Sequence, residues 1–170
     1  MRVYLVGYMG AGKTTLSRRL SAQLGMEHAD LDELFEARYK ISIPDFFRKY
    51  DETLFRRLES HLLKETVLTD HIVYSTGGGT ACYYDNMEWM NRHGLTVYLQ
   101  MDPQSIVHRL SNAKKKRPLI LSKTSDELLE FVREHLRARN IYYSQAKIIV
   151  KGESIDVDAL AQQIRAMMNR

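Results

Sequence analysis

Gly7-Tyr8-Met9-Gly10-Ala11-Gly12-Lys13-Thr14 matches the pattern G-x-x-x-x-G-K-S/T in full, between a β-prone run and a segment of helical spacing. A turn of that composition aims backbone N–H groups inward at an anion. A helix N-terminus behind it adds the positive end of a dipole, so the indicated chemistry is the holding of a polyphosphate. Gly10, Ala11, Gly12, Lys13, Thr14 and Thr15 are the expected nucleotide contacts. Lys13 is placed on the terminal phosphates, and the Thr14 hydroxyl on Mg²⁺.

Asp30-Leu31-Asp32 puts two carboxylates at i and i+2, pointing in different directions in an extended segment or at a helix start. One can face a metal through its water shell while the other accepts a hydrogen bond from a substrate hydroxyl and assists its deprotonation. A helix cap or first-turn acid explains either one equally well, Asp30 especially. Phe55-Arg56-Arg57-Leu58-Glu59 carries adjacent arginines on a helix, so the two cannot share a direction. Either both are solvated or paired along the helix, or one enters a cleft, where its planar fork suits a carboxylate. Gly77-Gly78-Gly79 costs backbone entropy unless backbone and ligand approach closely there. Lys114-Lys115-Lys116-Arg117-Pro118 reads as a solvated basic loop, a nucleic-acid patch or a lid that delivers Arg117 to phosphates. It lacks the interleaved aromatic rings of single-strand binders. Asp102 closes a strand in the manner of a Walker B acid, but Pro103 after it explains it as a helix cap. The lone Cys82 reads as a small buried apolar residue, and the six histidines form no zinc motif.

Strand signals at residues 2–6, 72–74, 95–101 and 148–150 position these groups. Helical spacing follows the glycine-rich turn up to Gly25, makes residues 30–68 almost wholly helical, and returns at 87–91, 104–110, 125–143 and after Asp156. Strands alternating with helices imply a parallel sheet covered on both faces, with ligands beyond the carboxyl ends of the strands. The phosphate turn, the triple glycine and Asp102 all fall there. The 170 residues make one domain, and 44% hydrophobic residues suffice for an ordinary core. Twenty-five basic against 21 acidic residues leave +4, which suits a nucleotide with an acidic co-substrate as well as a nucleic-acid backbone. No apolar run reaches the roughly 18 residues of a membrane span, and no leader is evident, so a soluble, cytoplasmic protein is expected.

GYMGAGKT at 7–14, DLD at 30–32, FRRLE at 55–59, STGGGT at 75–80, RPLI at 117–120 and RNIYY at 139–143 together resemble the shikimate kinase family. That family belongs to the P-loop enzymes related to nucleoside monophosphate kinases, and the resemblance covers essentially the whole chain. It implies a three-layer α/β/α P-loop kinase with a five-stranded parallel sheet. A helical substrate-binding insert would span about 31–60 and a lid about 111–124. The implied reaction moves the γ-phosphate of ATP to the 3-hydroxyl of shikimate, with Mg²⁺ and no nucleic-acid or membrane partner, in a monomer. By the same resemblance Asp32 is the candidate base at the substrate hydroxyl, and Asp30 joins Thr14 at the metal. Arg56 and Arg139 clamp the carboxylate, Gly77, Gly78 and Gly79 lie under the ring, and Lys13 and the lid's Arg117 neutralise phosphate charge. The late motif lacks the proline of R-x-P-L-Y, so its helix is expected to run straighter. Arg109 lies one residue further from Arg117 than the family's adenine-flanking arginine, and Lys151-Gly152-Glu153-Ser154 carries no arginine for adenine. A kinase for another hydroxy acid such as gluconate, or a nucleotide- or nucleic-acid-binding module without turnover, is the alternative.

Overall fold

In the computed structural model, which describes residues 1–114 and 121–168, five strands form one parallel sheet. They are β1 (Arg2–Val6), β2 (Glu27–Asp30), β3 (Ile72–Ser75), β4 (Leu95–Gln100) and β5 (Ile148–Lys151). Their order is β2-β3-β1-β4-β5, so the chain reverses direction across the sheet beside β1. The helices, in chain order, are α1 (Lys13–Leu24), α2 (Leu31–Tyr39), α3 (Ile43–Lys49), α4 (Glu52–Glu65), α5 (Asn86–His93), α6 (Pro103–Ser111), α7 (Ser125–Tyr143) and α8 (Val157–Met168). Among the described residues no helix is long and apolar enough to cross a membrane.

The strands alternate between two cores because successive side chains leave opposite faces. Val3, Leu5, Val73, Val97 and Leu99 pack with Leu16 and Leu20 of α1, Ile106 of α6, and Leu160 and Ile164 of α8. Tyr4, Val6, Ile72, Tyr74 and Tyr98 pack on the other face with Leu31 and Phe35 of α2, Leu63 of α4 and Met90 of α5. Helix α7 serves both layers, giving Leu128 and Val132 to the first and Tyr143 to the second. Each layer thus anchors one side of the carboxyl edge of the sheet, where the loops that carry chemistry emerge.

The expected helical stretch from 30 to 68 is present as α2, α3, α4 and the short 3₁₀ turn Thr66–Leu68. It is divided by capping side chains: Asp30 accepts from Asp32 N–H, Ser42 from Asp45 N–H and Asp51 from Leu54 N–H. Helix α7 runs unbroken over all 19 residues from a Thr124–Glu127 capping box, as the missing proline implies. Strand β2 escaped the sequence pattern. Its Glu-His-Ala-Asp has no apolar alternation and its first two residues are exposed; it is an edge strand, defined by its register on β3 from Glu27↔Ile72 to Asp30↔Ser75. Asp102 stands at the N-cap of α6 as expected, but its side chain makes no capping bond there; its own N–H is held by Glu153 Oε1 at 2.7 Å. Asp156 does cap α8, through Ala159 N–H at 3.0 Å. Of the basic run only Lys114 is described, on the surface. Arg117 and the RPLI motif lie outside the described residues.

Candidate active site

Strand β1 delivers the chain into the phosphate loop, and Gly12 closes it as the N-cap of α1 with φ 97, a left-handed conformation that favours glycine. A Cβ there would also stand 2.7 Å from the Arg109 guanidinium. Gly10 is at the exposed tip against Leu110, and Ala11 is buried, its N–H donating to Tyr8 O at 3.2 Å. The buried Lys13 ammonium donates to Gly7 O at 2.7 Å and Tyr8 O at 2.9 Å, so its charge is held inside the loop. Thr15 is exposed in the first turn of α1, where backbone N–H groups have no intrahelical acceptor.

Thr14 Oγ1 donates to Asp30 Oδ2 at 2.7 Å and lies 3.4 Å from Ser75 Oγ. The other oxygen of Asp30 accepts the Asp32 N–H at 2.9 Å. The reading of Asp30 as a helix cap holds, and the same carboxylate also faces the P-loop hydroxyl. Hydroxyl and carboxylate oxygens are the donor set that Mg²⁺ takes alongside water and phosphate oxygens, so these residues fit that ion. Among the described residues no group of three or more His, Cys, Asp or Glu side chains gathers as an all-protein metal site.

The triple glycine is the floor on which the other groups converge. A Cβ on Gly78 would lie 2.9 Å from the Met9 nitrogen, so this loop touches the phosphate loop backbone to backbone. A Cβ on Gly77 would lie 3.1 Å from Asp32 Oδ1 and 3.2 Å from Glu59 Oε2, and one on Gly79 2.5 Å from Arg56 Nη2. Arg56 is the more buried arginine of its pair, with 11% of its side chain exposed, while Arg57 faces water. Arg56 donates to Glu59 Oε1 at 2.9 Å and to Glu52 Oε1 at 3.3 Å, and its guanidinium lies 4.3 Å from the Tyr83 ring and 5.1 Å from the Phe55 ring. Glu59 is 2% exposed and also accepts the Thr80 hydroxyl at 2.8 Å. Burial pushes the Glu59 carboxyl upward while Arg56 and Thr80 draw it back. Burial likewise opposes the Arg56 charge, and Glu59, Tyr83 and Glu52 together outweigh it.

Arg139 reaches the same place from α7. Its guanidinium lies 5.8 Å from the Tyr8 ring and bonds the Tyr143 hydroxyl, which itself donates to Gly78 O. The positive charges of Arg56 and Arg139 both bear on Glu52, Glu59, Cys82, Tyr83 and His135. Asp32 beside Gly77, Arg56 beside Gly79 and Arg139 through Tyr143 beside Gly78 thus gather around the glycine triplet next to the P-loop.

The sequence profile described as Shikimate kinase matches residues 9–169. The chain belongs to the shikimate kinase family. A curated relative from Bacteroides fragilis, named shikimate kinase, is 40% identical over 173 residues, covering 99% of this chain and 97% of that protein. The crystal structure of shikimate kinase from Bacteroides thetaiotaomicron superposes with TM-score 0.90 at 37% identity, over 100% of this chain and 99% of that one. Shikimate kinase from Acinetobacter baumannii, solved in complex with shikimate, gives TM-score 0.83 at 32% identity over 99% and 92% of the two chains.

In this family member several site residues carry no motif of their own. Arg109 donates to Ala11 O at 3.1 Å from the last turn of α6, so it packs over the phosphate loop despite its altered spacing. Tyr8 bonds His135 Nδ1 at 2.9 Å, tying the phosphate loop to the helix of Arg139. Glu52 and Tyr83 share a hydrogen bond of 2.9 Å beside Arg56, though 31 residues separate them. Cys82 is half-buried, not buried as expected. Burial pushes its thiol up against the opposing pull of Arg139 and Tyr143, which makes it a poor nucleophile.

Proposed function

We propose that this kinase transfers the γ-phosphoryl group of ATP to the 3-hydroxyl of shikimate, giving shikimate 3-phosphate and ADP, with roles assigned as follows. The observation that carries the assignment is the main-chain contact of Gly78 with Met9, with Asp32 Oδ1 standing over Gly77. It supports a reading in which Asp32 meets the hydroxyl on one side of the glycine loop and the phosphate loop holds the nucleotide on the other. Asp32 orients the attacking hydroxyl and takes its proton as the bond to phosphorus forms. Arg56 and Arg139 grip the substrate carboxylate and fix the ring over Gly77, Gly78 and Gly79. Lys13 leaves its carbonyl partners for the phosphates, and Gly10, Ala11, Gly12, Thr14 and Thr15 supply backbone and hydroxyl donors. Arg117 adds positive charge at the phosphates from the lid at about 111–124, and residues 31–60 are the acid-binding insert. Thr14 and Asp30 would hold Mg²⁺, which would supply positive charge against the phosphate oxygens. Catalysis is positioning and charge compensation. We further assign a monomer acting in the cytoplasm without a nucleic-acid partner.

The complex of the Acinetobacter baumannii relative with shikimate supports the acid over gluconate as acceptor. ADP release measured with shikimate, gluconate and nucleoside monophosphates tests it. Turnover is expected with shikimate alone; no response to shikimate overturns the assignment.

A further inference from the structure

Arg56 is set by more than the buried acid three residues along its helix. Its guanidinium carbon lies 4.3 Å from the centre of the Tyr83 ring and 5.1 Å from that of the Phe55 ring. Tyr83 follows the 3₁₀ turn Thr80–Cys82, which leads straight out of the triple glycine. Its hydroxyl donates to Glu52 Oε1 at 2.9 Å, the same oxygen that accepts Arg56 Nε at 3.3 Å. A closed circuit results: ring over guanidinium, hydroxyl to carboxylate, carboxylate back to guanidinium. Glu59 takes Nη1 at 2.9 Å. Nε and Nη1 are thereby bonded to carboxylates with an aromatic ring close by, while the guanidinium end stands at Gly79, where a Cβ would be 2.5 Å from Nη2 and 2.7 Å from Nη1. The protonation states suit the circuit. Burial, then the bond to Glu52, keeps the Tyr83 phenol protonated as a donor, while that bond, against the cost of burial, holds Glu52 low as an acceptor.

We propose that Tyr83 is a positioning residue for the acid substrate: by stacking on Arg56 and bonding Glu52, it fixes the plane and rotation in which Arg56 meets the substrate carboxylate. The inference rests on the reading that Arg56 binds that carboxylate. A planar fork gains from two parallel hydrogen bonds only when its plane is held, and an arginine free to rotate behaves as a point charge. Tyr83 touches no reacting atom. Its loss therefore weakens acid binding and leaves the chemical step and nucleotide binding alone, provided that saturating acid restores the same bound geometry.

Steady-state kinetics of Tyr83→Phe, Tyr83→Leu, Arg56→Lys and the double variant Tyr83→Leu/Arg56→Lys separate the possibilities, with affinity for a non-hydrolysable ATP analogue confirming that each is folded. Tyr83→Phe keeps the ring and loses the hydroxyl, and its KM for shikimate is expected to rise about threefold. Tyr83→Leu also loses the cation–π contact, and a rise of about tenfold is expected, the scale of one partly desolvated contact. In both, kcat and KM for ATP stay within about twofold of the parent. In the Arg56→Lys background, Tyr83→Leu adds less than about twofold, because its effect runs through the guanidinium. An Arg56→Lys variant with the parent's KM for shikimate overturns the carboxylate reading itself. A raised KM in Arg56→Lys with none in Tyr83→Leu overturns the role of Tyr83 alone. A fall in kcat or ATP-analogue affinity in the Tyr83 variants also overturns it, since that marks general damage to the loop. Equal Tyr83→Leu effects in both backgrounds place Tyr83 directly on the substrate and equally refute a positioning role.

Discussion

Alanine in place of Gly78 separates the two loops that the reaction needs together. The new Cβ would stand 2.9 Å from Met9 N and 3.4 Å from Met9 Cα, both main-chain atoms of the phosphate loop. Non-bonded heavy atoms settle at about 3.5 Å, so the glycine loop and the P-loop must part by roughly 0.6 Å. Backbone cannot swing aside as a side-chain tip does, and the displacement passes to the groups resting on each loop. A shift of about 1 Å between reacting groups costs on the order of 100-fold in rate, so kcat should fall on the order of tenfold. Stability should fall by about 1–3 kcal/mol, as in other overpacked interiors. Gly79→Ala provides the contrast. Its Cβ would meet only the guanidinium end of Arg56, at 2.5 to 2.8 Å, and that end can move once its bonds to Glu52 and Glu59 yield. Here KM for shikimate should rise about tenfold, the worth of a charge-assisted hydrogen bond, with a smaller change in kcat. Coupled ADP-release assays over both substrates read the two patterns. A Gly78→Ala enzyme with the parent's kcat, or one indistinguishable from Gly79→Ala, would refute the claim that the loops meet backbone to backbone at this residue.

Asp32→Asn should lower kcat by on the order of 10²- to 10³-fold while leaving affinity for an ATP analogue within about twofold; lost nucleotide affinity with turnover preserved contradicts the hydroxyl-acceptor role. Asp30→Asn keeps a good cap on α2 but removes the charge facing Thr14, so the Mg²⁺ concentration for half-maximal activity should rise several-fold with little change in stability. Asp30→Ala should show the same Mg²⁺ shift and lose about 1 kcal/mol besides, read from the denaturation midpoint; Asn and Ala variants of equal stability would deny the cap. Burial, then the Arg139 charge, holds the His135 imidazole below its ordinary value, so between the two values the unfolded chain binds a proton that the folded one refuses. The stability that His135 contributes is complete above its unfolded pKa of about 6.5 and is lost as the pH falls through the lower folded value. Melting temperatures followed from about pH 7 to 5 should therefore drop faster for the parent than for His135→Gln, and parallel curves would speak against a shifted imidazole.

The phosphate loop was fully legible because its chemistry is local. Eight consecutive residues turn the backbone and start α1, and no distant partner is needed for their meaning. Asp30 and Asp32 were legible as a pair, but the cap could not be assigned to Asp30 until the ladder from β2 to β3 set it beside both Thr14 and the start of α2. Strand β2 stayed invisible because an exposed edge has no apolar period to display, and only pairing defines it. The choice between Arg56 and Arg57 also waited on packing. The helix spacing says that the two diverge, and the acid at Glu59, three residues along α4, decides which enters the cleft.

From residues alone come the polyphosphate cradle, the alternation that makes a parallel sheet and the ordered motifs of the family, since each is carried by neighbours in sequence. Tertiary structure alone decided the rest. Glu52 with Tyr83, Tyr8 with His135, Arg109 with Ala11 and Gly78 with Met9 are pairs separated by 31 to 127 residues. Helix and strand periods report which face of an element is apolar, not which partner that face meets, so no local pattern encodes them. The fold supplies them by closing two cores on one sheet and bringing its loops to a single edge.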